Sequence, residues 1–434
     1  MKEVPRFRST ELQLLFAPSL LAVVGLLTIF VVPRGDNAWT WGDIWVSLAF
    51  VGFIYAISLA FSLAGFDGDQ VLFPITAMLA AMGLIVIQRL QPALTARGAA
   101  PASLAARQLV YLGLGLSSLA IIALWFRRFD WIRRYKYSWL LLSLVLLGFT
   151  FAFGEEVNGA RLWLAVGPFR AQPSEVIKIT LVTFMAAYLS DKRDLIGASW
   201  RLGRLSLPPV PYLLPMILMG VVSLAVIVIQ NDLGTALLFF GVFLSMLYAA
   251  SGRVVYVVLG LFSFVVACFA AYRLFDRIDL RVQNWLDPWQ DPLVVGYQPI
   301  QSDFSLAAGG IFGTGLSQGK PYYIPEVQTD FVFSAIAEEL GLLGTIAILA
   351  LCLLLVLRGL LIALRVRDGF ARLVAIGLAS TLGWQTLIIL GGIVRLIPLT
   401  GITLPFVSYG GSSLVTNFVI VGLLLAISTD PRRS

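Results

Sequence analysis

A polytopic bundle of transmembrane helices, all-α, is the fold class this chain predicts, and three observations predict it. Hydrophobic residues make up 59% of the chain against 13% charged, and the mean hydropathy is +0.89, a balance foreign to water-soluble globular domains. Apolar runs of about twenty residues, the length a helix needs to cross ~30 Å of hydrocarbon, recur from one end of the sequence to the other. Polar residues collect between these runs, and one long polar stretch, 276–330, interrupts them.

Twelve spans are read from the runs, at roughly 15–33, 44–65, 71–90, 108–126, 137–154, 176–190, 211–229, 234–250, 254–275, 331–357, 373–394 and 404–428. With a cytoplasmic N-terminus, the loops on that side carry nineteen Lys or Arg and the opposite loops nine, so basic-residue asymmetry places both termini inside and 276–330 outside. The loop 66–70 dissents, holding Asp67 and Asp69 and no base. The first apolar run, 16–33, is too long for a signal h-region and lacks a small-residue cleavage site, which makes it a retained span. No repeat of 20 to 50 residues is present, and the 276–330 loop is too short and too rich in Gly and Pro to bury a core of its own, so it is expected to pack on the bundle's outer face.

The net charge of +7 sits in short loops, where it sets orientation and does not point to nucleic acid. Cys268 and Cys352 both fall inside apolar runs, with neither a disulfide framework nor a metal-ligand spacing. The chain has no histidine, so a proton-abstracting base has to be a carboxylate, a lysine or a tyrosine.

Several polar positions need a reason. Gln172-Pro173-Ser174-Glu175 opens a span: Pro173 suits the first helical turn and Glu175 the positive end of the helix dipole. Lys178 lies one turn on, which reads either as a functional ion pair at the membrane edge or as a lysine that snorkels to the interface. Asp232, in Gln230-Asn231-Asp232, either caps the following helix or floors a polar groove. The segment 403–413, with Pro405, Ser408, Gly410, Gly411 and Ser412, is irregular at membrane depth, which requires a polar cavity or protein around it and favours a lined cavity. Asp330 closes the outer loop just before an apolar run; it reads as a helix cap or as the base, and Glu338 and Glu339 follow in the same span and demand a polar interior.

The motifs NGARLW, GPFRAQPSE with Lys178, QNDLGTA, DPWQDP with GYQ, IPEVQTDFVFSAIAEELG and TLPFVSYGGSS occur in that order. In this the chain closely resembles the SEDS family, the RodA and FtsW type of peptidoglycan glycosyltransferase, over about residues 71–428. The resemblance implies polymerisation of lipid II, the undecaprenyl-diphosphate-linked disaccharide peptide, at the outer face of a bacterial cytoplasmic membrane, beside a single-span class B penicillin-binding protein, in elongation, division or shape. It implies that Asp330 of the TDF motif is catalytic and that Glu175 and Lys178 belong to the substrate site. Arg161, Gln172, Ser174, Asp232, Glu338, Ser408 and Ser412 are expected to line the same site, with Lys178 and Arg161 holding the diphosphate. Departures from the family pattern are Gln328 where a His is common, Asn231 for a Pro, Val294 for a Gly, and Leu162 where an Arg often precedes the Trp. Family members commonly have ten spans, so 1–70 is expected to be a tail with two additional spans, 71–428 the core and 429–434 a cytoplasmic tail. A divalent cation, magnesium or manganese, held by Asp330 or Glu175 is an open alternative that no ligand spacing demonstrates. A lipid II flippase is the rival reading, since intramembrane acids and broken helices suit transporters equally.

Overall fold

The computed structural model describes residues 8–31, 44–101, 103–126, 130–157, 160–166, 169–192, 200–202, 205–207, 217, 221, 232–274 and 276–429. The expected span at 211–229 therefore lies outside the described residues except for Ile217 and Val221, as do Asn158, Gly159, Gly167, Pro168, Gln230, Asn231 and the 430–434 tail. Among the described residues nine helices are long and apolar enough to cross a membrane. Two further helices fill expected spans by position: Pro173–Asp191, and Val254–Leu274 with its apolar stretch Val254–Ala270. The chain is a multi-pass, nearly all-helical membrane protein, and it divides into two compact units.

The first unit comprises Met1–Arg127, Gln283–Arg358 and Gln385–Thr429. Four helices open it: α1 (Ser9–Val31), α2 (Ile44–Leu63), α3 (Leu72–Ala96) and α4 (Leu104–Trp125). The central one is α3, buried along almost its whole length. α1 runs along α3 with Gly25 against Ile85, so close that a Cβ at Gly25 would meet the Ile85 side chain at 2.6 Å. α2 lies on α4, so the two N-terminal helices pack into this unit.

A buried polar cluster fastens them. Arg8 donates to the carbonyls of Phe66 (2.7 Å), Gly68 (3.1 Å) and Asp69 (2.8 Å), pairs with Glu11 at 2.7 Å, and lies over the rings of Phe61 and Phe66. Ser58 of α2 donates to Glu11 (2.7 Å). Asp69 accepts from the amides of Val71 and Leu72 and pairs with Arg358 at 2.8 Å, while its own amide donates to Ser428. The acidic 66–70 loop that ran against the basic-residue rule thus finds its cations in Arg8 and Arg358, far away in sequence.

The second unit comprises Arg128–Val282, Gly359–Trp384 and Asp430–Ser434. It opens with the short α5 (Asp130–Arg134) and α6 (Lys136–Phe153). Strands β1 (Glu155–Val157), β2 (Ala160–Val166) and β3 (Phe169–Ala171) follow as an antiparallel sheet in the order β1-β2-β3, an element absent from a purely helical expectation. Val157 pairs with Ala160 across Asn-Gly, the dipeptide that two-residue hairpin loops favour. After α7 (Pro173–Asp191), β4 (Trp200–Leu202) and β5 (Leu205–Leu207) come α8 (Leu233–Ser251), α9 (Val254–Leu274) and α10 (Asp276–Leu286). α6 packs on α7 and α7 on α8.

The 276–330 stretch continues from α10 to α11 (Tyr297–Gly309) and ends against α12 (Val332–Arg365). α13 (Gly369–Ile393) and α14 (Gly411–Ser428) complete the chain, with α14 lying along α4. Arg8 is expected to be indispensable to this assembly: Arg8→Met leaves Glu11 uncompensated in the interior and three carbonyls without their donor. It should cost about 3 kcal/mol, read as a lowered melting temperature in detergent, because a buried charge that loses its partner is strongly destabilising.

Candidate functional site

Within the first unit the site grows from the break in α12. Its Gly341 is non-helical (φ 65°, ψ −164°), which splits this long apolar helix and frees backbone groups there. The 276–330 loop supplies their partners: the amides of Thr314 and Gly315 donate to the carbonyls of Glu338 and Glu339, and the amides of Leu342 and Leu343 donate to Gly310 and Ile311. Broken backbone in a membrane span is stable only when protein satisfies it. A Cβ at Gly313 would stand 2.3 Å from the Glu339 carbonyl oxygen, so the close approach requires glycine.

The two acids before the break hold the same loop. Arg89 of α3 donates through Nε to Glu339 at 2.6 Å and through Nη2 to the Gly319 carbonyl at 2.7 Å, and both side chains of the pair are at most 5% exposed. Glu339 also accepts from the Ser317 amide. Glu338 accepts from Ser305 of α11 (2.6 Å) and from the Lys320 amide (2.5 Å). Both carboxylate oxygens of Glu338, expected to line a substrate site, are engaged in anchoring the loop.

Asp330 stands at the entrance of the same half-helix, half-buried, its amide donating to the Glu326 carbonyl (3.1 Å). The backbone ahead of it is stapled to the 404–409 segment. The Ser408 hydroxyl donates to the Thr329 carbonyl (2.6 Å) and accepts from the Leu404 amide, and the Tyr409 amide donates to the Gln328 carbonyl (2.8 Å). The Asp330 carboxylate faces Gly401, where a Cβ would come within 3.8 Å of Oδ2. Ser408 therefore positions the turn that carries Asp330.

Protein surrounds the irregular 404–408 backbone, where the sequence favoured a lined cavity. Leu404 to Ser408 are buried, and Phe406, in the left-handed region at φ 65°, packs edge-on against Phe418. Gly83 of α3 admits this segment: a Cβ there would meet the Val407 carbonyl oxygen at 2.5 Å. Ser412 lies in the first turn of α14, half-buried. Its neighbour Ser413 joins Gln385 and Thr403 in a hydrogen-bonded group that closes the segment.

In the second unit, α7 starts at Pro173, with Gln172 as its extended N-cap and the Gln172 carbonyl accepting from the Glu175 amide. Glu175 and Lys178 form a buried pair at 2.5 Å, and the Ser174 hydroxyl beside them is buried. Asp232 caps α8, accepting from the Thr235 amide (2.9 Å) and hydroxyl (2.7 Å). Burial pushes the Asp232 carboxyl above the usual range, against the Thr235 bonds and the positive charges of Arg281 and Lys178. Glu175, Lys178, Asp232 and Arg281 thus share one electrostatic neighbourhood. Arg161 lies in β2, in register with Glu156. Among the described residues no group of three or more His, Cys, Asp or Glu could hold a metal ion, and Glu175 pairs with Lys178.

Sequence reasoning missed Arg89, Gln385 and Thr403 as supports of the site. The signal for Arg89 was present, since a cation inside an apolar run requires a buried partner. Arg395 is committed to Asp303 (3.2 Å) and to the Trp285 carbonyl (2.8 Å).

Two outcomes test this geometry. Arg89→Leu should destabilise by about 3–5 kcal/mol by stranding Glu339, with much of the loss recovered in Arg89→Leu/Glu339→Leu; equal melting of wild type and single variant would contradict the pairing. For Asp232, a raised folded pKa means that the folded state binds the extra proton, so its penalty is relieved as pH falls through that pKa and is fully present above it. Asp232→Asn keeps the cap acceptor without the buried charge. Its melting temperature should equal or exceed wild type at pH 7, and the difference should shrink toward pH 4.

Comparison with known proteins follows the same residues. The FtsW, RodA and SpoVE family model, described as cell cycle protein, matches residues 69–433, starting after α1 and α2. The peptidoglycan glycosyltransferase RodA of Mycobacterium bovis is 39% identical over 99% of this chain and 92% of its own length, so its match includes the N-terminal pair. Stage V sporulation protein E of Bacillus subtilis is 39% identical over 76% of this chain and 87% of its own. A solved peptidoglycan synthase complex that coordinates polymerization and crosslinking matches with TM-score 0.68 at 30% identity, over 85% of this chain and 99% of that one. The rod shape determining protein RodA of Thermus thermophilus matches with TM-score 0.61 at 27% identity, with the same coverage. The family model and these relatives agree: the chain belongs to the FtsW, RodA and SpoVE family.

Proposed function

We propose that this protein is a peptidoglycan glycosyltransferase that polymerises the disaccharide-peptide of lipid II at the outer face of the bacterial cytoplasmic membrane, for elongation, division or shape. The observation that carries the reading is Asp330, a half-buried carboxylate on a turn held by Glu326, Ser408 and Tyr409, in a chain without histidine. In this reading both termini are cytoplasmic and the 276–330 stretch is extracytoplasmic. The partner is a class B penicillin-binding protein that crosslinks the strands.

Transfer from a diphosphate donor asks for a base and for positive charge. Asp330 takes the proton of the acceptor hydroxyl; the acceptor oxygen bonds to the anomeric carbon as that carbon's bond to the diphosphate oxygen breaks. The diphosphate departs without a proton, so the second carboxylic acid of glycosidases is not required. The family resemblance assigns Lys178 and Arg161 to the leaving diphosphate; within their own unit Lys178 pairs with Glu175, and Lys178 and Arg281 both act on Asp232. Gln172, Ser174, Asp232 and Ser412 are assigned to the substrate's polar groups, while Glu338 and Ser408 act as positioning residues through the loop and the turn they hold. No step is routed through a divalent cation.

Purified protein supplied with lipid II in detergent should form polymer resolvable on a gel. Asp330→Asn should form none while keeping the wild-type melting temperature and the partner's co-elution; full polymerisation by that variant would overturn the assignment. Absence of polymer from wild type with lipid II already accessible would favour the flippase.

A further inference from the structure

In the second unit, α6 turns Leu141, Val145, Phe149 and Phe153 outward, the pattern of a helix in contact with lipid tails. At its other end from β1 stands a shelf of different chemistry. Trp131, Tyr135 and Tyr137 are exposed there, and Trp131 lies tilted against Trp139 (ring centroids 5.7 Å apart), whose indole N–H donates to the Ile132 carbonyl (3.2 Å). The backbone of α5 is thereby pinned at the head of α6.

Charge accompanies the aromatic rings. Asp191, at the end of α7, accepts from Arg133 at 2.6 Å and from Lys136 at 2.5 Å, so one carboxylate holds two cations side by side. Arg134, between them in sequence, is exposed and without an ion pair among the described residues. Gly369 meets Ser190, which brings the exposed Arg365 and Arg367 of the α12–α13 connection to the same end of the unit. Segments 130–136, 190–192 and 365–372 together carry seven Lys or Arg against three Asp.

We propose that this shelf binds the headgroup of an anionic phospholipid of the surrounding bilayer. Phosphates meet the surplus cations, indole and phenol rings sit at headgroup depth, and the acyl chains continue down the outward face of α6. A soluble acidic partner would meet the charges but would leave this apolar face uncovered. The shelf is independent of the polymerisation reading.

Native mass spectrometry of the full chain, titrated with cardiolipin or phosphatidylethanolamine, tests it. Arg134→Gln and Arg365→Gln should each weaken cardiolipin binding about fivefold, the equivalent of ~1 kcal/mol per basic residue near an anionic surface, and leave phosphatidylethanolamine unaffected. Arg170→Gln, at the β3 end, is the charge-matched control and should bind as wild type. Unchanged cardiolipin binding in the Arg134→Gln/Arg365→Gln double variant, or equal weakening in Arg170→Gln, would overturn the proposal. So would tighter binding of undecaprenyl diphosphate lost in the same variants, which would make the shelf an entry for the lipid-linked substrate.

Discussion

The first unit depends on a cation inside an apolar helix finding its acid. Arg89 cannot remain unpaired in hydrocarbon, and Glu339 cannot remain charged without it, so α3 and the first half of α12 are bound to each other by the cost of separating them. The same guanidinium reaches Gly319, and the same carboxylate takes the Ser317 amide, which draws the 276–330 loop into the pair. Asp330 lies on the turn two residues before Val332, where the helical segment that carries Glu339 ahead of the Gly341 break begins. Fixing that segment through Glu339 fixes the end from which the Asp330 turn departs.

The break at Gly341 and the loop that enters it form a second constraint of the same kind. A helix interrupted within the membrane has orphaned amides and carbonyls, and the strand of loop at 310–315 meets them with four backbone bonds. Glycine is required because the two backbones approach more closely than any Cβ permits, at Gly309 and Gly313 on the loop and at Gly341 on the helix. A polar loop and an apolar helix thus form one structure, and the residue proposed as base lies at their junction.

The N-terminal helices belong to this economy of buried charge. Arg8 caps the carbonyls that end the α2 turn, and Asp69 links that turn to Arg358 on α12 and Ser428 on α14. The pair that precedes the family match is therefore built into the unit through its interior. α1 also braces α3 one turn from Arg89, at Ile85.

The helical class and the position of most spans were legible in the sequence, because apolar length is a local property of the chain; Asp330 was singled out by the motif around Thr329-Asp330-Phe331 through the family resemblance. Burial of Glu338, Glu339 and Lys178 was legible too, since charges inside apolar runs demand partners. Which partners they take was not. Glu339 pairs with a residue 250 positions away, and Asp69 with one 289 away, separations over which sequence pattern has no say. The β1–β3 sheet escaped because its strands are short and interrupted by Asn-Gly and Gly-Pro. Ser408 and the 404–408 turn looked like a cavity lining, and became a buried staple because Gly83 lets α3 approach their backbone. Composition alone determined that the chain lives in lipid; three-dimensional packing decided which polar groups meet there, because in a medium without water each can be satisfied only by another part of the same fold.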